Sequence, residues 1–418
     1  MKKIILTVLK RFNYSLRKID GDELIETPNL INDECKKVKL KKLTHEKNAT
    51  FFGYHDKTPS SSDGEKILAC SVSRDDTKLE NECTKMEVGF FSYSDGYTFH
   101  PVDETYTWCW QQGCMLQWNP LKPNCQIYYN SLVDSEYGSI LYDTTKNVEI
   151  KRFKFPIYSI SPNGKYASSL NFTRLGLLRP GYGYKGNIKK YDLLNTPDDD
   201  GVFLIDLITG KKNLIVSLKS IAANTDQSVP HYINHITFSP DSSKLTFFHI
   251  YENQSGKRLI RFYLYDIEYK TLKLLEAANN VSHYCWNNNN EILTSEAESG
   301  KIVTYCYNID EEKKRKIDIP HIGDYHPMFN PVYSDIIVAD TKPDKDRNQH
   351  LFLFNIKSGK HFYAGKFHTP DEYTEEVRCD LHPRWDRKGK NIIVDTAEGG
   401  KRSMVQIDVS EGIKACLD

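Results

Sequence analysis

The amino-acid sequence predicts an all-β fold: a seven-bladed β-propeller with four antiparallel strands per blade and a short N-terminal extension. Three observations predict it. A two-part strand pattern recurs seven times along 418 residues. Aromatic residues make up 12% of the chain, with 26 Tyr, a composition that suits strands better than helices. Helical periodicity is confined to residues 216–223 and the N-terminus. Length alone would suggest two or three domains, but a repeat overrides that prior, because stacked units share one continuous core. Residues 1–47 are therefore read as the extension and 48–418 as the propeller.

The first half of each repeat is an aromatic or apolar residue, a turn and a short apolar strand. The seven copies are YHDKTPSSSDGEKILACS from Tyr54, MLQWNPLKPNCQIYYNS from Met115, YSISPNGKYASSLNF from Tyr158, ITFSPDSSKLTFFHI from Ile236, YCWNNNNEILTSE from Tyr284, MFNPVYSDIIVADT from Met328 and RWDRKGKNIIVDT from Arg384. The turns use Pro to fix φ, and Gly and Asn to accept positive φ. The second half is an alternating strand, usually ending in Asp or Asn, then a turn and a fourth strand. It begins at Phe90, Ile140, Phe203, Phe262, Thr304, Leu351 and Met404. Four strands per unit at this spacing is the signature of propeller blades. A strand within residues 36–43 is expected to complete the last blade and close the ring.

Lys+Arg and Asp+Glu are equal at 56 each, so the electrostatic footprint of a nucleic-acid binder is missing and no nucleic-acid partner is expected. The ten Cys show no CxxC pairing and read as reduced thiols of a cytoplasmic protein. The N-terminal apolar run, Ile4 to Leu9, is too short for a signal peptide, and no stretch is long enough for a membrane span. Residues 1–19 are basic and amphipathic, so they are a docking helix or a peripheral membrane contact.

Histidines fall in phase with the repeat. His235, His283, His326 and His382 each lie three residues before the inner aromatic of four successive blades. The inner strand of a blade lines the channel, so four imidazoles are expected to converge there as ligands for a divalent metal ion, zinc or manganese. His249, Asp380 and Cys379 are further candidates. Blades two and three carry other chemistry, in WCWQQGCMLQW (108–118) and LNFTRLGLLRPGYGYKG (170–186). Trp108, Trp110 and Trp118 read as core. Arg174, Arg179, Tyr182 and Tyr184 on a Gly- and Pro-shaped loop suit an anionic sugar, since Arg pairs carboxylates in bidentate fashion and Tyr stacks on rings.

HITFSPDSSKLTFFH (235–249), SHYCW (282–286) and LHPRWDRKGKNIIVDTAEGG (381–400) resemble the seven-bladed polysaccharide lyases, namely the oligogalacturonate and ulvan lyases. The resemblance covers most of residues 48–418. It implies a Mn²⁺ ion in the channel, with His283 and His382 matching its ligands best; Asp380 stands where that family has a further His. Likeness to the ulvan lyases implies a catalytic Tyr158 and Arg174, sixteen residues apart, and a structural zinc. Those enzymes also use two early His. This chain has Gln111 and Gln112 there, read as substrate-binding with Arg179, Tyr182 and Tyr184, and its only early His are His55 and His100. The implied activity is β-elimination on a uronate-containing oligosaccharide or polysaccharide. Arg174 or the metal would neutralise the carboxylate, with His55, His249 or Tyr158 as base and Tyr158 as acid. The competing reading is a non-catalytic glycan- or protein-binding propeller with a structural metal site.

Overall fold

The structure is a computed structural model that describes residues 38–45, 47–73, 76–78, 84–186, 191–319 and 323–418; for 276–279 it describes the backbone alone. The N-terminal segment 1–19 and part of the predicted closing strand, residues 36 and 37, lie outside the described residues.

Seven antiparallel sheets follow one another along the chain. Blade one is β2 (Ala49–Phe51), β3 (Lys66–Val72), β4 (Met86–Ser92) and β5 (Thr98–Thr105). Blade two is β6 (Gln117–Trp118), β7 (Gln126–Val133), β8 (Glu136–Asp143) and β9 (Val148–Phe153). Blade three has three strands, β10 (Tyr166–Ser169), β11 (Gly201–Asp206) and β12 (Lys212–Ser217); a single bridge between Ile160 and Ala167 takes the inner position. Blade four is β13 (His231–Phe238), β14 (Lys244–Glu252), β15 (Arg258–Asp266) and β16 (Thr271–Asn279). Blade five is β17 (Val281–Trp286), β18 (Glu291–Glu298), β19 (Lys301–Asn308) and β20 (Lys313–Ile317). Blade six is β21 (Met328–Phe329), β22 (Ile336–Asp340), β23 (Asn348–Asn355) and β24 (His361–His368). Blade seven is β25 (Arg384–Trp385), β26 (Asn391–Thr396) and β27 (Ser403–Asp408), with β1 (Lys39–Leu43) as its outer strand.

The recurrent turn has one mechanical basis. In blade four the Ser239 hydroxyl donates to Asp241 at 2.6 Å and accepts from the Lys244 N–H at 2.9 Å. Ser61 with Asp63 and Ser161 with Asn163 repeat the device. The turns also tie blade to blade: the Asn163 N–H donates to Ser242, and the Asp241 N–H to Asn289. Inner-strand tryptophans do the same, with Trp118 donating to the Pro59 carbonyl and Trp385 to the Met328 carbonyl. Trp108, Trp110 and Trp118 are buried, as a core role requires.

Ring closure comes from β1, which pairs antiparallel with β27 from Lys39 opposite Asp408 to Leu43 opposite Met404. Blade one then meets blade seven through Asp395, which accepts from the Phe52 and Gly53 N–H groups and from Arg384. Helix is scarce. The predicted segment 216–223 contains α2 (Leu218–Ala222). Two helices were not apparent from periodicity, α1 (Phe172–Leu178) and α3 (Ser410–Leu417). Each spans about two turns or fewer, too short to show a period. Asn171 caps α1 by accepting from the Arg174 N–H at 3.0 Å.

Candidate metal centre and anion cavity

Strands β13 and β17, the segment after β2 and the segments leading into β21 and β25 bring five histidines close together: His235, His283, His55, His326 and His382. Irregular backbone aims them: β13 breaks register between Asn234 and Thr237, and β17 between Val281 and His283. His235 and His382 adopt φ of 51° and 44°, the left-handed region that non-glycine residues seldom occupy. Such backbone concentrates at functional sites. The His326 ring centre lies 4.4 Å from both His283 and His382, and 5.3 Å from His55.

His326, His382 and Asp380 form a tight trio, with one ligand atom from each within 4.8 Å of the others. All three are buried. The second ring nitrogens are already committed. His326 Nδ1 meets Asp340 at 2.9 Å, and His382 Nδ1 meets the Gly53 carbonyl at 2.8 Å. Asp340 also accepts the backbone N–H of His326 and of His382, so one carboxylate holds both histidines from two blades. The Nε2 atoms of His326 and His382 are buried without a hydrogen-bond partner. Buried polar atoms are rarely left so, and an imidazole fixed through one nitrogen with the other bare is arranged as a metal ligand. Burial, with neighbouring positive charge, holds both imidazoles well below the usual range, in the neutral form that ligates. Two imidazoles and a carboxylate fit a divalent ion such as Zn²⁺ or Mn²⁺ and leave further positions open.

Of the other in-phase histidines, His283 packs edge-on against His326 and its Nδ1 is turned to Asp324, while His235 is separated from His382 by Tyr54. The Tyr54 ring stacks on His235 at 4.6 Å and meets His382 edge-on at 4.9 Å. His283 Nδ1 bonds Asp324 at 2.9 Å. His55 packs on the group with a bare, buried Nδ1.

Above the trio opens a cavity of about 610 Å³, lined by Arg179, Tyr182, His235, Arg258, His283, Asp324, Lys342, Glu375 and Arg378 among others. Four cations face two carboxylates. Lys342 and Arg378 form the partition, donating to the same Asp380 oxygen at 3.2 and 2.7 Å. Tyr182 is sandwiched by guanidinium groups, with Arg179 5.0 Å and Arg378 5.5 Å from its ring centre. Arg378 also donates to its hydroxyl. Burial would raise the Tyr182 pKa, but Arg378, Arg179 and Lys342 outweigh it and bring it below the ordinary tyrosine value.

The remaining predicted residues lie elsewhere. Tyr158 is fully buried; its hydroxyl accepts from Gln112 at 2.8 Å and donates to Asn234 at 3.3 Å. Gln111 donates to the Glu376 and Arg378 carbonyls. Arg174 is consumed as a tie: its guanidinium holds the carbonyls of His231, Leu194 and Asn195 and the Tyr191 hydroxyl, with Asp200 at 3.9 Å. His249 sits inside blade four against His231, Nε2 to Nδ1 at 2.7 Å. Tyr184 stacks on Phe172 at 4.4 Å and accepts from Asn130. Cys379 packs with Tyr373 and Ala397, and His100 pairs with Asp95 on the outer strand β5.

Sequence reasoning missed Tyr54, Asp324, Asp340, Lys342 and Arg378. One signal was present: IIVADT and NIIVDT carry Asp340 and Asp395 in phase, and both reach back to an inner strand. Asp324, Lys342 and Arg378 come from loops without a repeat position.

No protein-family model matches the chain, and no curated protein sequence matches it. Solved structures do. An oligogalacturonate lyase in complex with manganese superposes with a TM-score of 0.65 at 14% identity, over 89% of this chain and 93% of that one. The oligogalacturonate lyase of Vibrio parahaemolyticus gives 0.63 at 14% identity, over 90% and 94%. The tricorn protease gives 0.50 at 11% identity, over 88% of this chain and 35% of that one. The chain is thus a seven-bladed β-propeller that shares its fold, nearly end to end, with the oligogalacturonate lyases.

Proposed function

We propose that the protein is a metal-dependent lyase that cleaves uronate-containing oligosaccharides by β-elimination. The observation that carries this reading is the cation-rich cavity joined, through Lys342 and Arg378, to a buried trio with two bare imidazole nitrogens. His326, His382 and Asp380 would hold a divalent ion, zinc or manganese. When bound, such an ion supplies Lewis acidity toward a substrate carboxylate, which makes the proton on the neighbouring carbon acidic. Arg179, Arg258, Lys342 and Arg378 give the cavity the positive potential that an acidic sugar requires. Tyr182, held by Arg378, is the group placed to accept the proton. His283, oriented by Asp324, lines the same cavity and is placed to return a proton to the departing oxygen. Arg174, His249 and Tyr158 shape the scaffold in this reading.

The test is incubation of the Mn²⁺-supplemented protein with a panel of uronate oligosaccharides, following near-ultraviolet absorbance of the unsaturated product. Product formation that is lost in Tyr182→Phe is expected. Binding without product across the panel would favour the non-catalytic glycan-binding propeller. The chain's eight described cysteines are free, which supports a cytoplasmic setting as part of this proposal. Among the described residues no helix is long and apolar enough to cross a membrane.

A further inference from the structure

The one carboxylate of the trio is already paired before an ion arrives. Lys342 and Arg378 answer the charge of Asp380, and the neutral imidazoles add none. Lys342 and Arg378 both donate to Oδ2 of Asp380, the one carboxylate of the trio. Asp340 is fully committed to N–H donors of His326 and His382. A divalent ion placed on His326, His382 and Asp380 would bring two positive charges beside an ammonium and a guanidinium. Uncompensated charge in a buried setting is strongly disfavoured. An anion on the cavity side relieves it in two ways: it neutralises the ion, and it draws Lys342 and Arg378 away from Asp380, freeing that oxygen to ligate.

We infer that the metal ion and an acidic sugar bind to this protein interdependently, with Lys342 and Arg378 switching between the Asp380 carboxylate and the substrate carboxylate. The inference rests on the metal trio assigned above. It specifies the ligand class: the sugar must carry at least one carboxylate on the residue next to the ion, and a neutral oligosaccharide of the same length does not couple. By linkage, each ligand raises the affinity of the other by the same factor. Lys342 and Arg378 are positioning residues here, because they act through Asp380.

The experiment measures free Mn²⁺ by electron paramagnetic resonance during titration of the full-length protein. It is run alone, with a saturated or chemically blocked uronate oligosaccharide that cannot eliminate, and with a neutral oligosaccharide of equal length. The expected result is weak Mn²⁺ binding alone, about tenfold or more tighter with the acidic sugar, and unchanged with the neutral one. Lys342→Met is expected to tighten Mn²⁺ binding in the absence of sugar and to shrink the coupling; Arg378→Gln serves as the second variant if Lys342→Met does not fold. His382→Ala locates the signal, since it should abolish Mn²⁺ binding with and without sugar. Equal Mn²⁺ affinity in all three wild-type titrations overturns the inference, as does equal tightening by the neutral sugar. Coupling without unsaturated product from cleavable uronates would leave the inference standing and remove the lyase reading. Product without coupling would do the reverse.

Discussion

Two arginines, one buried and one partly exposed, show how burial separates scaffold from chemistry. Arg174 ties the 191–195 segment to β13 of blade four through four oxygen acceptors, and its side chain is 2% exposed. Arg378 instead holds Tyr182 and Asp380 at the edge of the cavity. Arg174→Ala strands several buried carbonyls, so it should lower stability by about 3 kcal/mol and shift the melting midpoint in urea. Lyase activity per folded molecule should survive it, measured on the remaining native fraction. Asp340→Asn should act on both stability and metal binding. It keeps volume but offers one acceptor oxygen where His326 and His382 direct N–H groups at two, so metal affinity should fall by about tenfold and stability by about 1–3 kcal/mol. Isothermal titration with Mn²⁺ checks this.

At the scale of the element, the passage from β2 into the first inner turn carries more than its length suggests. Gly53 has φ of 130°, and a Cβ there would meet the Gln112 carbonyl carbon at 2.8 Å. Its own carbonyl anchors His382 and Arg384. Gly53→Ala should therefore destabilise the protein and weaken Mn²⁺ binding together, read by a melt and a metal titration on one sample. Strands β13 and β14 carry a second device. His231 and His249 share one hydrogen bond, and burial, assisted by Arg174 for His231 and by the His231 neighbour and Arg261 for His249, lowers both pKa values. A histidine with a depressed folded pKa contributes stability that is present above its unfolded value, about 6.5, and lost as pH falls below it. Urea melts should therefore weaken between about pH 7 and pH 5, and His249→Gln should flatten that dependence. An unchanged slope in the variant would remove this pair as the cause.

At the scale of the whole molecule, the ring is closed by five residues of β1 against β27, and the seam of Gly53, Asp395 and Arg384 reaches the His326–Asp380–His382 trio through the Gly53 carbonyl on His382. Closure gives blade seven its fourth strand from the N-terminal side of the chain and makes blades one and seven neighbours. Deleting residues 1–47 should lower the melting temperature by more than about 5 °C and broaden the transition, as differential scanning calorimetry would report. It should also weaken metal binding, because His382 is anchored across the seam.

The repeat itself determined the architecture. Turn chemistry such as Ser239 with Asp241 is local, so seven copies of it are legible as seven blades without any knowledge of distant contacts. In-phase His326 and His382 were legible for the same reason, since a repeat position maps onto one place in a ring. What only the tertiary structure decided is which neighbours each phased residue meets. Repeat phase fixes height and radius, but it does not fix the side-chain direction set by the bulge at His235, the interposed Tyr54, or the capture of His283 by Asp324. Nor does it reach Arg378 and Lys342, which arrive from segments outside the repeat and become a pair only by sharing Asp380. Arg174 matched a family spacing, yet its guanidinium is surrounded by backbone carbonyls that no sequence spacing encodes.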